Sequence, residues 1–348
     1  IMAYTTINKS SEHFNTKIYT GNQSSTHAVT GVGFEPSLTW LKIRTGTGDN
    51  YLYDAIRGVT KSISSNTTSS EFSNTYFSSF NTDGFTLGSA SNNVNGGYNY
   101  ASWNFKANGA GSANTAGSIN STVSVNTTSG FSIVKYIGND TSGATVGHGL
   151  GVVPKMIIVK RLSGSAQHWQ VYHISTGNTK SSQLSGTGTP DTSAAYWNNT
   201  SPTNSVFTIG NGSTVNGGGG ADSYIAYCFA DIQGYSKVSG SYTGNGNADG
   251  TFVYTGFKPA FVMLKNTTRA ASWLMYDNKR LGYNVDNNEL VANASAAEET
   301  YDQIDILSNG FKMRANGTST NLSGDTYIYM AFASAPLVGS NNVPCTAR

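Results

Sequence analysis

"GFKPAFVMLKN", residues 256–266, reads as a turn followed by a strand, and its outline occurs twice more. "GFEPSLTWLKI" stands at 33–43 and "GVVPKMIIVKR" at 151–161. Each has a Gly, a Pro shortly after it, an apolar run, and a Lys six residues beyond the Pro: Pro36 with Lys42, Pro154 with Lys160, Pro259 with Lys265. The prolines are spaced 118 and 105 residues apart. Two further markers keep that period. "YASWNFK", "YIAYCFA" and "YIYMAFA" begin at Tyr100, Tyr224 and Tyr327, spaced 124 and 103; Phe85, Phe207 and Phe311 are spaced 122 and 104. Three markers recurring in one order imply a tandem array of modules, each of ordinary domain size and long enough to have its own core.

Only 11% of the 348 residues are charged, against about 25% in average globular proteins. Gly, Ser, Thr, Asn and Tyr take their place, a mix that favours strands and turns over helices. Regular apolar alternation argues against disorder. A formal charge of +2 with no basic cluster argues against a nucleic-acid partner, since such affinity needs several Lys or Arg on one face. No apolar run approaches a membrane span. The stretch "IMAYTTINKSSEHF" lacks the basic and apolar regions of a secretory signal, and Ile1 before Met2 is unexplained. Cys228 and Cys345 do not form a disulfide framework.

Within each module the pattern is all-β. Trp103 and Phe105 alternate with Ser102 and Asn104, Tyr227 and Phe229 with Ala226 and Cys228, Met330 and Phe332 with Tyr329 and Ala331. One face of each strand therefore lines a core. The Asn-Gly-rich stretches "VNGGY" (94–98) and "VNGGGGADSY" (215–224) are turn chemistry, as is "NLSGDTY" (321–327). Short strands and regular turns predict three tandem antiparallel β-sandwich modules, jelly-roll or lectin-like, over 1–110, 111–235 and 236–348. Linkers are expected near 107–120 and 233–240, and a loop or short helix at 64–72 and at 291–299.

Candidate chemistry is sparse. Asp54 with Arg57 and Asp277 with Arg280 recur as "YDAIR" and "YDNKR", while the second module has His173 at that place. A structural ion pair closing a corner is the favoured reading, over a catalytic or sugar-binding carboxylate. A glycosidase needs two carboxylates across a cleft, for which Asp54 and Glu71 are the nearest pair. The five histidines show no close ligand spacing, so no metal and no cofactor is expected. Trp197, its neighbour Tyr196, and Trp273 adjoin polar loops. With Asp54 and Asp277 they form the candidate glycan-binding set, against the alternative that they are ordinary core.

The stretches "WLKIRTGTGDNYLYDAIRGVTKSISSN" (40–66), "GHGLGVVPKMIIVK" (147–160), "SYTGNGNADGTFVYTGFKPAFVMLKNT" (241–267) and "YIYMAFASAPLV" (327–338) carry a resemblance across essentially the whole chain. The sequence resembles a family of repeat proteins from marine bacteriophages. That resemblance implies a virion structural protein, tail-associated or lectin-like, with no catalytic residue. The expected role is a tail fibre or adhesin contacting host surface glycans. A head decoration or shell protein without ligand is the alternative, and a glycan depolymerase the third reading. The expected place is the virion, among other virion proteins. A homotrimer is expected because Tyr327, Tyr329, Ala331 and Ala333 give the last strand an apolar second face that something must cover.

Overall fold

The computed structural model describes residues 5–281, 284, 287–334, 337–338 and 344–345. The fold is all-β, built from antiparallel strands. Three large sheets draw on three successive stretches of chain. The first runs, in spatial order, Phe14–Thr20, Asn99–Phe105, Leu38–Ile43, Tyr51–Asp54, Lys61–Ser64, Phe72–Ser73. The third repeats that order with Ser236–Thr243, Thr326–Ala333, Pro259–Asn266, Leu274–Asp277, Asn287–Val291 and Glu299–Tyr301. The second does so with Phe131–Ile137, Ser223–Phe229, Met156–Arg161, Gln170–His173, Lys180–Gln183 and Asp191–Thr192, and adds Ser112–Asn114 and Ser121–Asn126 at its leading edge.

The Pro of each opening motif lies at the start of a central strand or two residues before it, where its missing N–H costs no ladder bond. The Tyr of each second marker falls on the strand next to it in the sheet. One face of each large sheet is covered by a small sheet from the same stretch: His27–Thr30, Gly84–Leu87 and Phe77–Asn81 in the first, Ala144–Gly147 and Val206–Ile209 in the second, Phe252–Tyr254, Gly310–Met313 and Ile304–Leu307 in the third. These are sandwiches of unequal sheets, not the two equal sheets of a jelly roll. Gly84 and Gly310 are required at the hairpins, because a Cβ there would sit 2.0 Å from the carbonyl oxygen of Val29 or Val253.

The other faces of the large sheets meet one another. Phe14, Trp103, Phe105, Phe131, Trp169, Phe229, Phe261, Trp273 and Phe332 belong to one continuous core drawn from all three stretches. The Phe332 ring lies 4.9 Å from Phe14, 5.4 Å from Phe105 and 6.1 Å from Phe229. Each sandwich thus has a core of its own and a share of a central one. An apolar void of about 20 Å³ lies there between Trp40, Trp169, Phe229, Phe261 and Met330, too small for an organic ligand.

Two sequence expectations change here. The supposed linkers are structural: Ser112–Asn114 is an edge strand, Ile119 bridges Val146 in parallel, and Ser236–Thr243 is a strand. Residues 64–72 and 291–299, expected as a loop or short helix, are loops between strands. The second face of the last strand needs no partner chain. Tyr327, Tyr329, Ala331 and Ala333 pack on the third stretch's own small sheet, while Ile328, Met330 and Phe332 enter the central core. The polar face of the first stretch is equally buried. Thr39 donates to Asn104 Oδ1 at 3.1 Å and Asn104 Nδ2 donates to Ser102 Oγ at 3.0 Å, so the face is satisfied internally.

Candidate functional site

The polar residues with chemical potential lie along the three seams where the large sheets meet. Lys42, Lys160 and Lys265 are fully buried. Each is the penultimate residue of its strand and reaches a carbonyl of another stretch. Lys42 Nζ donates to Ala294 O at 2.9 Å and to Asn50 Oδ1 at 2.8 Å. Lys160 Nζ donates to Thr68 O at 2.8 Å and Gln167 O at 2.5 Å; Lys265 Nζ to Thr187 O at 2.7 Å and Ala271 O at 2.5 Å. The direction is cyclic: first to third, second to first, third to second. Backbone bonds run the same way, from Gly48 N to Ser295 O, Gln167 N to Thr68 O and Ala271 N to Thr187 O. Burial holds the ammonium of Lys42 down to about 7 and those of Lys160 and Lys265 down to about 8.

The residue before the next strand makes a second seam bond. Trp169 Nε1 donates to Ser64 O and Trp273 Nε1 to Gln183 O, both at 2.9 Å. In the first stretch Asn50 takes this place, and its Nδ2 donates to Val291 O at 3.2 Å and Ala292 O at 2.9 Å. Trp273 is therefore a seam residue, 1% exposed, and offers no ring to a sugar. Its polar sequence neighbours wrap the seam and do not open it.

The carboxylates are enclosed in the same way. Asp54 is 0% exposed and Asp277 4%. Asp54 Oδ2 accepts from Arg57 Nε at 2.5 Å and Asp277 Oδ2 from Arg280 Nε at 2.7 Å. Each guanidinium also donates to a strand carbonyl, Leu52 O or Met275 O, at 2.8 Å. Each carboxylate takes one donor from a neighbouring stretch: Tyr227 Oη to Asp54 at 2.8 Å, Trp103 Nε1 to Asp277 at 3.1 Å. At the third seam His173 replaces the carboxylate and Met330 replaces the donor. Burial pushes the His173 imidazole down to about 4, leaving it neutral. Its Nδ1 accepts from Ser175 N at 3.2 Å, and its Nε2 faces Tyr329 O at 3.4 Å. The acid has been exchanged together with its donor, as a buried carboxylate without donors would be costly.

Asp54 and Glu71 do not face a cleft. Both bind Arg57, Glu71 at 3.3 Å from Nη1. Glu298 at the matching place binds Arg280 at 2.9 Å and, across the seam, Arg44 at 2.7 and 2.9 Å. Trp197, the last residue of a short helix capped by Ser193, is 2% exposed and packs edge-on against Tyr172 at 5.8 Å. Tyr196 beside it is half-buried. Of the candidate glycan set, the structure brings none of the residues together at an open surface. Among the described residues no group of three His, Cys, Asp or Glu could hold a metal.

Sequence reasoning missed a set of asparagine latches. Asn95, Asn216 and Asn321 are fully buried, and their Oδ1 atoms accept from the backbone N of Asn22, Asn139 and Asn245 at 3.0, 2.7 and 3.0 Å. Tyr19, Tyr136 and Tyr242 stack on the marker tyrosines Tyr100, Tyr224 and Tyr327 at 5.1, 5.2 and 4.9 Å. The signal was there: the asparagines are spaced 121 and 105, inside stretches read only as turns.

The profile of a domain of unknown function, DUF7483, matches residues 9–336. The chain belongs to the DUF7483 family. The match runs through all three sheets and their seams, so the DUF7483 unit corresponds to the whole body around the central core. No curated protein and no solved structure matches the chain.

Proposed function

We propose that this DUF7483 chain is a structural protein displayed on the surface of a bacteriophage particle, a body that holds shape and presents surface. What supports the reading is the use made of its reactive groups. Asp54, Asp277, His173 and the three buried lysines all bond across or along seams, in residues whose counterparts repeat around the core. That is the arrangement of a scaffold, and the resemblance to marine phage proteins supplies the particle. A tail-fibre or adhesin role is favoured over head decoration by one observation, the exposed pair Phe252 and Tyr254 on the small sheet of the third stretch, which its counterparts lack. Depolymerase activity has the least support, since it needs two carboxylates open to one cleft.

The test is location. Antibodies against the purified chain, applied to phage particles whose genome encodes it, are expected to label the tail in negative-stain images. Labelling of the head moves the chain to decoration. Absence from particles by both labelling and mass spectrometry defeats the proposal.

A further inference from the structure

The small sheet of the third stretch differs from its counterparts on its outer face. Val253 points inward and is buried, whereas its neighbours Phe252 and Tyr254 are 45% and 63% exposed. Across the sheet Phe252 pairs with Lys312, and Lys312 with Asp305; Tyr254 pairs with Gly310. The counterpart strand of the first stretch carries Ala28 and Thr30 at these positions, opposite Thr86 and Gly84. That of the second carries Thr145 and Gly147. There the edge is overlaid by chain, with Ile119 N donating to Thr145 O and Ser118 N to Thr145 Oγ1 at 2.9 Å each. The same fold is thus built twice without aromatic residues at these places. Folding does not require Phe252 and Tyr254, and their exposure is unfavourable for an apolar surface.

We infer that this outer face, with Phe252 and Tyr254 as stacking rings, binds a neutral saccharide. Successive outward residues on a strand lie about 7 Å apart, so the two rings form one platform. They offer roughly 200–250 Å² of open surface. That is well short of the ~800 Å² per partner of a stable protein interface, and suits one or two sugar rings. In the polar border Lys312 pairs with Asp249 and Arg314 with Asp305 at 3.4 Å, and Asp302 lies close enough to act on Asp305. Two cations against three anions give at most a weak negative field, which draws neither a polyanion nor an acidic membrane. They do provide donors and acceptors beside apolar rings, which is what a pyranose presents in complement: C–H faces and hydroxyl edges. Gly310 leaves the floor bare next to Tyr254, so a ring can lie flat against the sheet.

The inference rests on the adhesin reading and is tested separately from it. The purified chain is applied to an array of oligosaccharides of neutral hexoses, deoxyhexoses and N-acetylhexosamines, and the strongest hit is titrated calorimetrically. The F252A/Y254A double variant, whose changes are on the surface, is expected to lose affinity by roughly tenfold or more. Ala28→Ser and Thr30→Ala on the first stretch are expected to leave it unchanged. Absence of binding to every glycan overturns the inference, as does binding that the double variant retains. So does a dimer by light scattering that the double variant dissolves, which would assign the face to a second copy. Tail labelling without glycan binding would retain the particle reading and sink only this one.

Discussion

Tyr227 donates its hydroxyl to Asp54 at 2.8 Å, across 173 residues of chain and across a seam. The carboxylate is already paired with Arg57, so the phenol supplies the last donor to a charge removed from water. Removing that donor in Tyr227→Phe is expected to cost about 1.5–3 kcal/mol, the range for hydrogen bonds to charged groups. Asp54→Asn, which takes from buried Arg57 the nearer of its two carboxylates and leaves only Glu71 at 3.3 Å, is expected to cost about 3–5 kcal/mol. Urea denaturation of both variants decides; a neutral Tyr227→Phe would mean that the bond contributes nothing net.

The buried lysines make stability depend on pH. In the unfolded chain a lysine titrates near 10.4, while in the fold Lys42 is held to about 7 and Lys160 and Lys265 to about 8. Between those values the unfolded state binds more protons, so stability rises with pH from about 7 toward 10. Above about 10 the sign reverses. Buried Tyr136, Tyr227, Tyr242 and Tyr276 are raised by desolvation and keep protons that the unfolded chain releases. At the acid end, His173 stays neutral down to about 4, so stability falls as pH drops from 6.5 to that value. Melting temperatures across pH 4–11 should trace a maximum on the alkaline side. Lys42→Met, which removes one titrating group, should flatten the rise.

Phe332 packs against rings from all three stretches. Phe332→Ala is expected to cost about 3–5 kcal/mol. Because the core is shared, calorimetry of the variant should show one transition shifted as a whole. Two or three separable transitions would mean that the sandwiches unfold independently.

Cys228 is fully buried, and burial pushes its thiol up to about 12. It should resist iodoacetamide at pH 8 in the native protein and react fully in denaturant, with peptide mapping to separate it from Cys345. Rapid native alkylation of Cys228 would contradict its position between the sheets.

Much of the architecture was legible in the sequence because strand alternation is local. Trp103 and Phe105 against Ser102 and Asn104 identify the side that enters the central core without knowledge of the partner. The structural role expected for Asp54–Arg57 and Asp277–Arg280 was legible too, since an Asp three residues before an Arg at a corner pairs locally. What depends on the seams was not legible. The repeating Lys of the opening motif was visible as a period, but its carbonyl partner lies up to 252 residues away. Trp273 and Trp197 looked open because their sequence neighbours are polar, whereas those neighbours are turn residues closing over them. Tyr329 suggested a partner chain because a sequence does not say which sheet covers which face. Conversely, nothing in the sequence around Phe252 and Tyr254 tells that their surroundings leave them bare.

The cyclic hand-to-hand order of the lysines has a consequence for how the molecule comes into being. Lys42 and Arg44 find Ala294 and Glu298 only after about 250 further residues have been made. A nascent chain emerging at about 5–20 residues per second therefore carries the first sheet's inner face only partly covered for tens of seconds. The first two sandwiches can form on the ribosome, but the ring has no keystone until the third arrives. Final closure is a late, long-range event of the kind that folds slowly. During that interval the exposed inner strands are a target for chaperones, and for the matching strands of neighbouring nascent chains.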